Sequence, residues 1–217
     1  MRVVVTGTDP RLGEKLRAAG FDVVECPLIR VEPLDGPPVS AGDYDWLVLT
    51  SRHGVEQLLR RLEEGPLPRV AVVGPGTADA LRAHGVEPDL VARRSTQEGL
   101  VDELPRPAGR VLFAGAEDAR GLLVRELAAD FVPLYRTVGL SPDAVPDGDL
   151  VVIASASAAK ALADTGARIP CVSIGPVTSA EAKLQGLEIA GEAETHDLEG
   201  LVRAVKLAAS RAGSSPS

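Results

Sequence analysis

Short apolar runs alternate with amphipathic stretches along most of the chain. The runs VVV, WLVL, VAVV, RVLF, LVVI and CVSI are nearly unbroken and rich in Val, Leu and Ile, as strands buried on both faces are. The stretches between them, such as GVEQLLRRLEE and SAEAKLQG, read as helices that end near a glycine or a turn. This alternation of strands and helices predicts an α/β fold with parallel sheets.

The same pattern occurs twice in the chain. Three segments have a counterpart in the same order: residues 2–30 with 110–136, 45–59 with 149–163, and 70–101 with 171–202. In the third pair five residues keep one constant offset: Gly74, Thr77, Gly85, Gly99 and Leu100 correspond to Gly175, Thr178, Gly186, Gly200 and Leu201. Two of these matches lie in a repeated G-P-x-T string, and together they indicate an internal duplication.

Turn-forming and capping residues divide the repeats further. The Pro/Gly-rich segments VEPLDGPP, from Val31, and SPDAVPDGD, from Ser141, follow corresponding points of the two repeats and are predicted linkers. The string Ser95-Thr96-Gln97-Glu98 predicts a capping box for the helix through Leu104, and Asp197 is expected to cap its counterpart. Residues from about 208 to 217 are small and polar, and a flexible tail is predicted there.

Composition limits the possible partners. The 217 residues contain 23 Lys and Arg against 31 Asp and Glu, a formal charge of -8, and only 3% aromatic residues. This balance provides neither the broad basic face nor the stacking surface of a nucleic-acid-binding protein, and no polybasic membrane patch. It does not exclude a small polyanion, because a few arginines and backbone amides can bind one locally.

Cysteine usage and hydropathy bear on localisation. Cys26 and Cys171 lie in apolar runs without a C-x-x-C spacing, which favours two buried thiols in a reducing compartment. The N-terminus is broken by Gly7, Asp9 and Pro10 too early for a secretory signal, and no apolar run approaches the roughly 18 residues of a membrane span. A cytoplasmic protein is expected.

The usual catalytic motifs are weak or missing. No G-x-S-x-G string surrounds Ser51 or Ser155, which argues against a serine triad, and no H-x-x-x-H, clustered Cys or D-x-D run predicts a metal site. A dinucleotide fingerprint after the first strand has only Gly7 and Gly13. The sequence therefore predicts neither a metal nor an organic cofactor.

Small hydroxyl residues recur where a strand ends and a helix begins. They are Thr6, Thr50, Ser51, Thr77, Ser155, Ser157 and Thr178. In a parallel sheet this carboxyl edge is where ligands bind, and helix N-termini there receive anions. Each residue taken alone is better explained as a helix N-cap, but their number shifts the balance toward an anion-lined cleft. Tyr135, in PLYR where the first repeat has Ile29, is either a cleft residue or a local packing residue.

The ordered set of these strings resembles the uroporphyrinogen-III synthase family. It consists of T-S-x-x-G-V at Thr50, V-G-P-x-T at Val73, PLYR, a second S-x-S strand end, I-G-P-x-T at Ile174 and E-G-L at Glu199. The resemblance runs from about Arg2 to Val205. It departs from the family pattern at Gly7, where the family commonly has Arg, and at Ala154-Ser155, where it has Thr-Ser.

The resemblance implies a domain arrangement that the repeats alone do not. It implies two similar three-layer α/β domains with parallel sheets, joined by a two-stranded connector that the chain crosses twice. The first domain would comprise residues 1–33 and 139–217, and the second residues 37–135. Two contiguous halves would have been the expectation from the duplication alone.

The resemblance also implies a reaction. Hydroxymethylbilane, a linear tetrapyrrole with eight carboxylates, loses its terminal hydroxyl as water, inverts ring D through a spiro intermediate and closes to uroporphyrinogen III in the cleft between the domains. Such catalysis works mainly by orientation, and needs no cofactor. Tyr135 matches the tyrosine that assists loss of the hydroxyl, and the predicted substrate-binding residues are Thr6, Thr50, Ser51, Arg52, His53, Gly74, Thr77, Arg120, Ser155, Ser157, Gly175 and Thr178.

Two alternatives remain open at this point. One is a non-catalytic two-domain tetrapyrrole-binding or sensor module of the same fold, and the other is an NAD(P)-binding enzyme, disfavoured by the missing glycines. The expected partner is the small polycarboxylate substrate, without nucleic acid or membrane. A monomer is expected, with transient contact to the preceding enzyme of the pathway left open.

Overall fold

The computed structural model describes residues 1–140, 142 and 144–213. Strands and helices alternate through this part of the chain, as the apolar runs predict. The strands are β1 (Arg2–Val5), β2 (Asp22–Glu25), β3 (Ile29–Pro33), β4 (Trp46–Leu49), β5 (Arg69–Val72), β6 (Leu90–Val91), β7 (Val111–Ala116), β8 (Asp130–Gly139), β9 (Leu150–Ile153), β10 (Cys171–Ser173) and β11 (Ile189–Glu192). The helices are α1 (Pro10–Ala18), α2 (Arg52–Arg61), α3 (Pro75–Arg82), α4 (Gln97–Glu103), α5 (Leu122–Leu127), α6 (Ala156–Asp164), α7 (Pro176–Leu184) and α8 (Leu198–Gly213).

The chain divides into two compact units. The first consists of Met1–Arg30 with Val138–Ser217, and the second of Val31–Thr137. The resemblance implies crossings at residues 33–37 and 135–139, whereas this division falls after Arg30 and after Thr137. β3 and β8 span these crossings and are neighbouring strands. β3 includes residues 31–33 of the first predicted linker, whereas β8 ends at Gly139, before the second predicted linker begins.

The first unit is built on a five-stranded sheet in the order β11-β10-β9-β1-β2. The pairs around β1, β9 and β10 are parallel, and successive residues of these strands face opposite sides of the sheet. Val4, Val151 and Ile153 pack with α6 and α7, whereas Val3 and Val5 pack with α1 and α8. Helices therefore cover both faces, which explains why the central strands β1, β9 and β10 are nearly unbroken apolar runs.

The second unit has the same design. Its strands β4, β5 and β6 come from the first repeat, and β7 and β8 come from the second. Its sheet has the order β3-β8-β7-β4-β5-β6, and the pairs from β8 to β6 are parallel. Leu47 and Leu49 pack with α2 and α3, whereas Trp46, Val48 and Phe113 pack with α4 and α5. The prediction of two three-layer α/β domains is confirmed.

Some local predictions need correction. The predicted capping box at Ser95–Glu98 is wrong, because Thr96 is the N-cap of α4 and accepts from the Gly99 amide at 3.1 Å. The counterpart prediction is confirmed, since the Asp197 carboxylate accepts from the Gly200 amide at 2.7 Å. The tail predicted from residue 208 is helical through Gly213, since buried Ala208 packs in the core; residues 214–217 lie outside the described residues, as do Ser141 and Asp143 of the predicted linker.

Candidate active site

Ser51 and Tyr135 meet at the carboxyl edge of the sheet of the second unit. Thr50 and Ser51 directly follow β4, where the backbone at Ser51 stays extended before α2 begins. The Ser51 Oγ accepts from the Gly54 amide at 2.9 Å, which makes Ser51 the N-cap of α2. The same oxygen lies 2.7 Å from the phenol oxygen of Tyr135, 84 residues away in sequence.

An irregularity in the sheet positions Tyr135. Between β7 and β8 the register shifts, so that Gly115 pairs with Pro133 but Ala116 pairs with Tyr135. The Glu117 amide then donates to the Tyr135 carbonyl at 2.7 Å, just beyond the end of β7. The Tyr135 side chain is only 5% exposed and packs in the core cluster around Leu49 and Val55. Tyr135 is thus a buried residue whose phenol group lies at the edge where ligands bind.

The surroundings of Tyr135 keep its phenol neutral. Burial raises the pKa of Tyr135, the hydrogen bond with Ser51 acts in the opposite direction, and the negative charge of Asp118 raises it further. The pKa therefore lies above its ordinary value near 10, and the phenol is protonated at neutral pH. The ring of His53 contacts it edge to face, with centroids 6.0 Å apart.

Arg120 and His53, two of the basic residues near this edge, lie beside acidic side chains. Arg120 forms two hydrogen bonds with the Glu98 carboxylate, at 2.7 and 3.1 Å, and this pairing is the main reason that the pKa of Glu98 falls to about 2. His53 Nδ1 lies 3.5 Å from the Glu56 carboxylate. Arg52, the first residue of α2, is half-buried. An anion that engages Arg120 has to compete with Glu98.

The two G-P-x-T strings begin α3 and α7 in the same way. Gly74 and Gly175 precede the helices, and among the described residues no side chain caps either helix. Pro75 and Pro176 have no amide hydrogen, but the next amides, of Gly76 and Val177, have no partner within their helices, so these two N-termini can receive an anion. Thr77 and Thr178 are buried in the first turns and are not N-caps.

Both glycines are needed for close packing of a side chain from the next loop. A Cβ on Gly74 would collide with the Ser95 hydroxyl, and one on Gly175 would lie 2.6 Å from His196 Nε2. Ser95 and His196 correspond through the same constant offset of the repeat, which is the signal that could have identified both beforehand. Sequence reasoning missed them, and Asp118 as well.

The predicted residues of the first unit have more varied surroundings. Thr6 is fully buried and donates its hydroxyl to the Val152 carbonyl at 2.7 Å, so its side chain is committed to the sheet. The Ser155 Oγ caps α6 by accepting from the Ala158 amide at 3.1 Å. Ser157 is the second residue of α6 and is half-buried. The N-cap interpretation thus describes Ser51 and Ser155. Thr6, Thr77 and Thr178 are buried and do not cap a helix.

Other kinds of site find little support. Among the residues that the structure describes, no group of three or more His, Cys, Asp and Glu could hold a metal ion. The two thiols are free and buried, and burial raises the pKa of Cys171 to about 11, which keeps it unreactive. Within the same described part of the chain, no helix is long and apolar enough to cross a membrane.

Two parallel-sheet units whose helix N-termini can receive anions, with a neutral phenol at one sheet edge, define a two-domain α/β protein. The family model for uroporphyrinogen-III synthase HemD matches residues 10–203. The chain belongs to the uroporphyrinogen-III synthase family, which comprises lyases of heme biosynthesis.

One curated relative is similar to this chain in sequence, and two solved structures are similar to it in fold. The chain is 29% identical to the uroporphyrinogen-III synthase of Synechococcus elongatus, over 92% of this chain and 91% of that protein. Its fold is similar to the crystal structures of a mutant uroporphyrinogen III synthase from Thermus thermophilus, with a TM-score of 0.63, and of uroporphyrinogen-III synthetase from Helicobacter pylori, with a TM-score of 0.64. Each is 20% identical and covers 97% of this chain, and 99% and 100% of its own chain respectively.

Proposed function

We propose that this chain cyclises hydroxymethylbilane to uroporphyrinogen III, with loss of water and inversion of ring D through a spiro intermediate. The proposal rests on the family match over residues 10–203. The observation that gives it a chemical basis is the neutral, buried phenol of Tyr135 at the carboxyl edge of the second unit.

Tyr135 assists departure of the terminal hydroxyl. When the carbon–oxygen bond breaks, the electron pair stays on the oxygen, which needs a proton to leave as water. A phenol with a raised pKa is a weak acid, so Tyr135 acts chiefly as a hydrogen-bond donor. Any proton it gives up is restored by the one that the substrate releases on ring closure, so water is the only product besides the macrocycle.

The carboxylates of the bilane are bound by helix N-termini. The amides that follow Pro75 in α3 and Pro176 in α7 supply donors without adding net positive charge, which reconciles a polyanionic substrate with a chain of charge -8. Arg52, His53 and Arg120 add basic groups at the edge of the second unit. Thr6, by contrast, contributes through the packing of β1 against β9, since its hydroxyl is already bonded.

One assay tests this function against its alternatives. Freshly generated hydroxymethylbilane is supplied to the purified chain, and the porphyrin isomers are separated after oxidation. We expect type III in large excess over the type I product of spontaneous closure. If only type I forms at the uncatalysed rate, while the chain still binds the bilane, the activity is refuted and the tetrapyrrole-binding alternative gains. For a Tyr135→Phe variant in this assay, Tyr44→Phe is the matched control. Tyr44 is the other tyrosine of the chain, and its phenol donates to Asp130 at 3.0 Å.

A further inference from the structure

The Ser51 hydroxyl has one hydrogen to donate and two lone pairs to accept with. One lone pair receives the Gly54 amide, at 2.9 Å. The contact of 2.7 Å with the Tyr135 phenol can then run in either direction. In one arrangement Ser51 donates to Tyr135, and in the other Tyr135 donates to Ser51.

The surroundings of Ser51 favour the first arrangement. In either arrangement one hydroxyl hydrogen is left for water or substrate, so the choice depends on which arrangement the neighbouring groups stabilise. A hydroxyl that already accepts from an amide is a stronger donor, because hydrogen bonds in a chain polarise one another. Ser51 lies at the N-terminus of the ten-residue helix α2, whose positive end polarises the hydroxyl further in the same sense.

We infer that Ser51 is a positioning residue, which donates its hydroxyl hydrogen to the Tyr135 oxygen and thereby turns the phenol hydrogen away from the protein and toward the departing hydroxyl of the substrate. This inference rests on the proposed function. It gives Ser51 a different role from the one predicted for its side chain, which was to bind a substrate carboxylate.

The duplication provides a matched control. Ser155 lies just beyond β9, as Ser51 lies just beyond β4. Its Oγ caps α6 by accepting from the amide of Ala158, three residues further along, at 3.1 Å. Where the second repeat has Tyr135, the first has Ile29, a buried core residue without a polar group. Ser51→Ala and Ser155→Ala therefore both remove an N-cap, but only the first removes a bond to a phenol.

A titration without substrate tests the direction of the bond. In a Tyr44→Phe background Tyr135 is the only tyrosine, so the near-ultraviolet absorbance of tyrosinate reports it alone. Two other titratable groups face it: His53 from α2, which carries its own partner Glu56, and Asp118 from the segment after β7.

If Ser51 donates to the phenol oxygen, Ser51→Ala removes a group that stabilises tyrosinate. The titration midpoint then rises by about 0.5–1 pH unit, as expected for one hydrogen bond. Ser155→Ala leaves the midpoint unchanged. Ser51→Thr, which keeps the hydroxyl, has the same midpoint as the Tyr44→Phe parent. A midpoint that falls or stays in place after Ser51→Ala would overturn the inference, whether or not the chain is active.

Two further measurements cover the case in which a variant unfolds at high pH. The carbon-13 shift of the Tyr135 Cζ, recorded at neutral pH, changes in Ser51→Ala when the phenol oxygen loses a donor, and does not change in Ser155→Ala. In kinetics, Ser51→Ala lowers kcat without raising KM, and has no further effect in a Tyr135→Phe background. A raised KM in both backgrounds would instead indicate a carboxylate ligand and refute the positioning role.

Discussion

The two units share five strands in equivalent order, to which the second adds β3, yet the polar groups at their carboxyl edges differ. β4 and β9 occupy the same place, and both are followed by a serine that caps a helix. In the second unit this serine is flanked by Thr50, Arg52 and His53 and contacts Tyr135. In the first unit the corresponding positions are Ala154, Ala156, Ser157 and Ile29.

This difference teaches that the duplication preserved what the fold requires and varied the rest. The serine cap, the uncapped G-P-x-T helix start and the close glycine packing occur in both units because each satisfies the backbone at a strand-to-helix turn. The phenol of Tyr135 and the basic side chains of Arg52 and His53 have no counterpart of the same kind in the first unit. We therefore expect the chemical step to depend on the second unit, while either edge can bind carboxylates.

The largest expected effect tests what the units share. Gly99 and Gly200 lie in the first turns of α4 and α8, where a Cβ would collide with the backbone carbonyl oxygens of Arg94 and Thr195. Because backbone atoms cannot move aside cheaply, Gly99→Ala and Gly200→Ala should each lower the free energy of unfolding by about 2–3 kcal/mol in urea titrations. Gly65→Ala is the control, with no atom within 4 Å of the added Cβ. Losses no greater than that of the control would contradict the shared packing.

The next effect tests what the second unit alone contains. Tyr135→Phe should lower kcat about 10- to 30-fold without abolishing activity, as expected for loss of one hydrogen bond to a developing negative charge. The measurement is the initial rate of type III isomer formation, with Tyr44→Phe as the control. Unchanged kinetics would remove Tyr135 from the mechanism.

A smaller effect tests a polar contact found in the first unit. The buried hydroxyls of Ser173 and Ser179 lie 2.6 Å apart, where the second unit has Val72 and Ala78. Ser179→Ala leaves Ser173 a poorly bonded buried hydroxyl and should cost about 1–2 kcal/mol of stability in urea unfolding.

The double variant Ser173→Val with Ser179→Ala installs the residues of the second unit. We expect it to be more stable than Ser179→Ala alone, because no hydroxyl remains without a partner. If the double variant is instead less stable than Ser179→Ala alone, the lost partner of Ser173 does not explain the cost of that substitution.

The smallest effect concerns two corresponding acidic residues. Glu98 pairs with Arg120 through two bonds, and Glu199 pairs with Lys15 at 2.7 Å. The pKa of Glu98 is lowered to about 2 chiefly by Arg120, so the folded state binds this proton less readily than the unfolded state. The resulting stabilisation is present above the ordinary pKa of 4.5 and disappears as the pH falls toward about 2.

Glu98→Gln should therefore cost less than about 1 kcal/mol at neutral pH, since both side chains of the pair are about half exposed. The cost should shrink in urea unfolding at about pH 3 and in high salt. Glu199→Gln is the matched comparison and should cost less, because its partner is a single ammonium group. A cost for Glu98→Gln that is independent of pH would contradict the ion pair.

Much of the fold followed from the sequence. Apolar runs buried on both faces predicted the central strands, and the constant offset predicted that the loops before α4 and α8 are equivalent. The cap of α4 was assigned one residue too early, because Ser95 and Thr96 are equally suited to the role. Packing decides between them: Ser95 lies against Gly74, which leaves Thr96 to bond the Gly99 amide.

The sequence by itself determined the strands, the helices and their duplication, because these depend on the hydrophobic period and on turn residues close together in the chain. Only the tertiary structure decided which side chains meet. The Ser51–Tyr135 contact joins residues 84 apart, and it requires both the strand order and the register shift between β7 and β8. The same holds for Thr6, whose hydroxyl bonds a carbonyl 146 residues away. A local pattern specifies which positions are buried, whereas a contact across a sheet depends on which strand lies beside which.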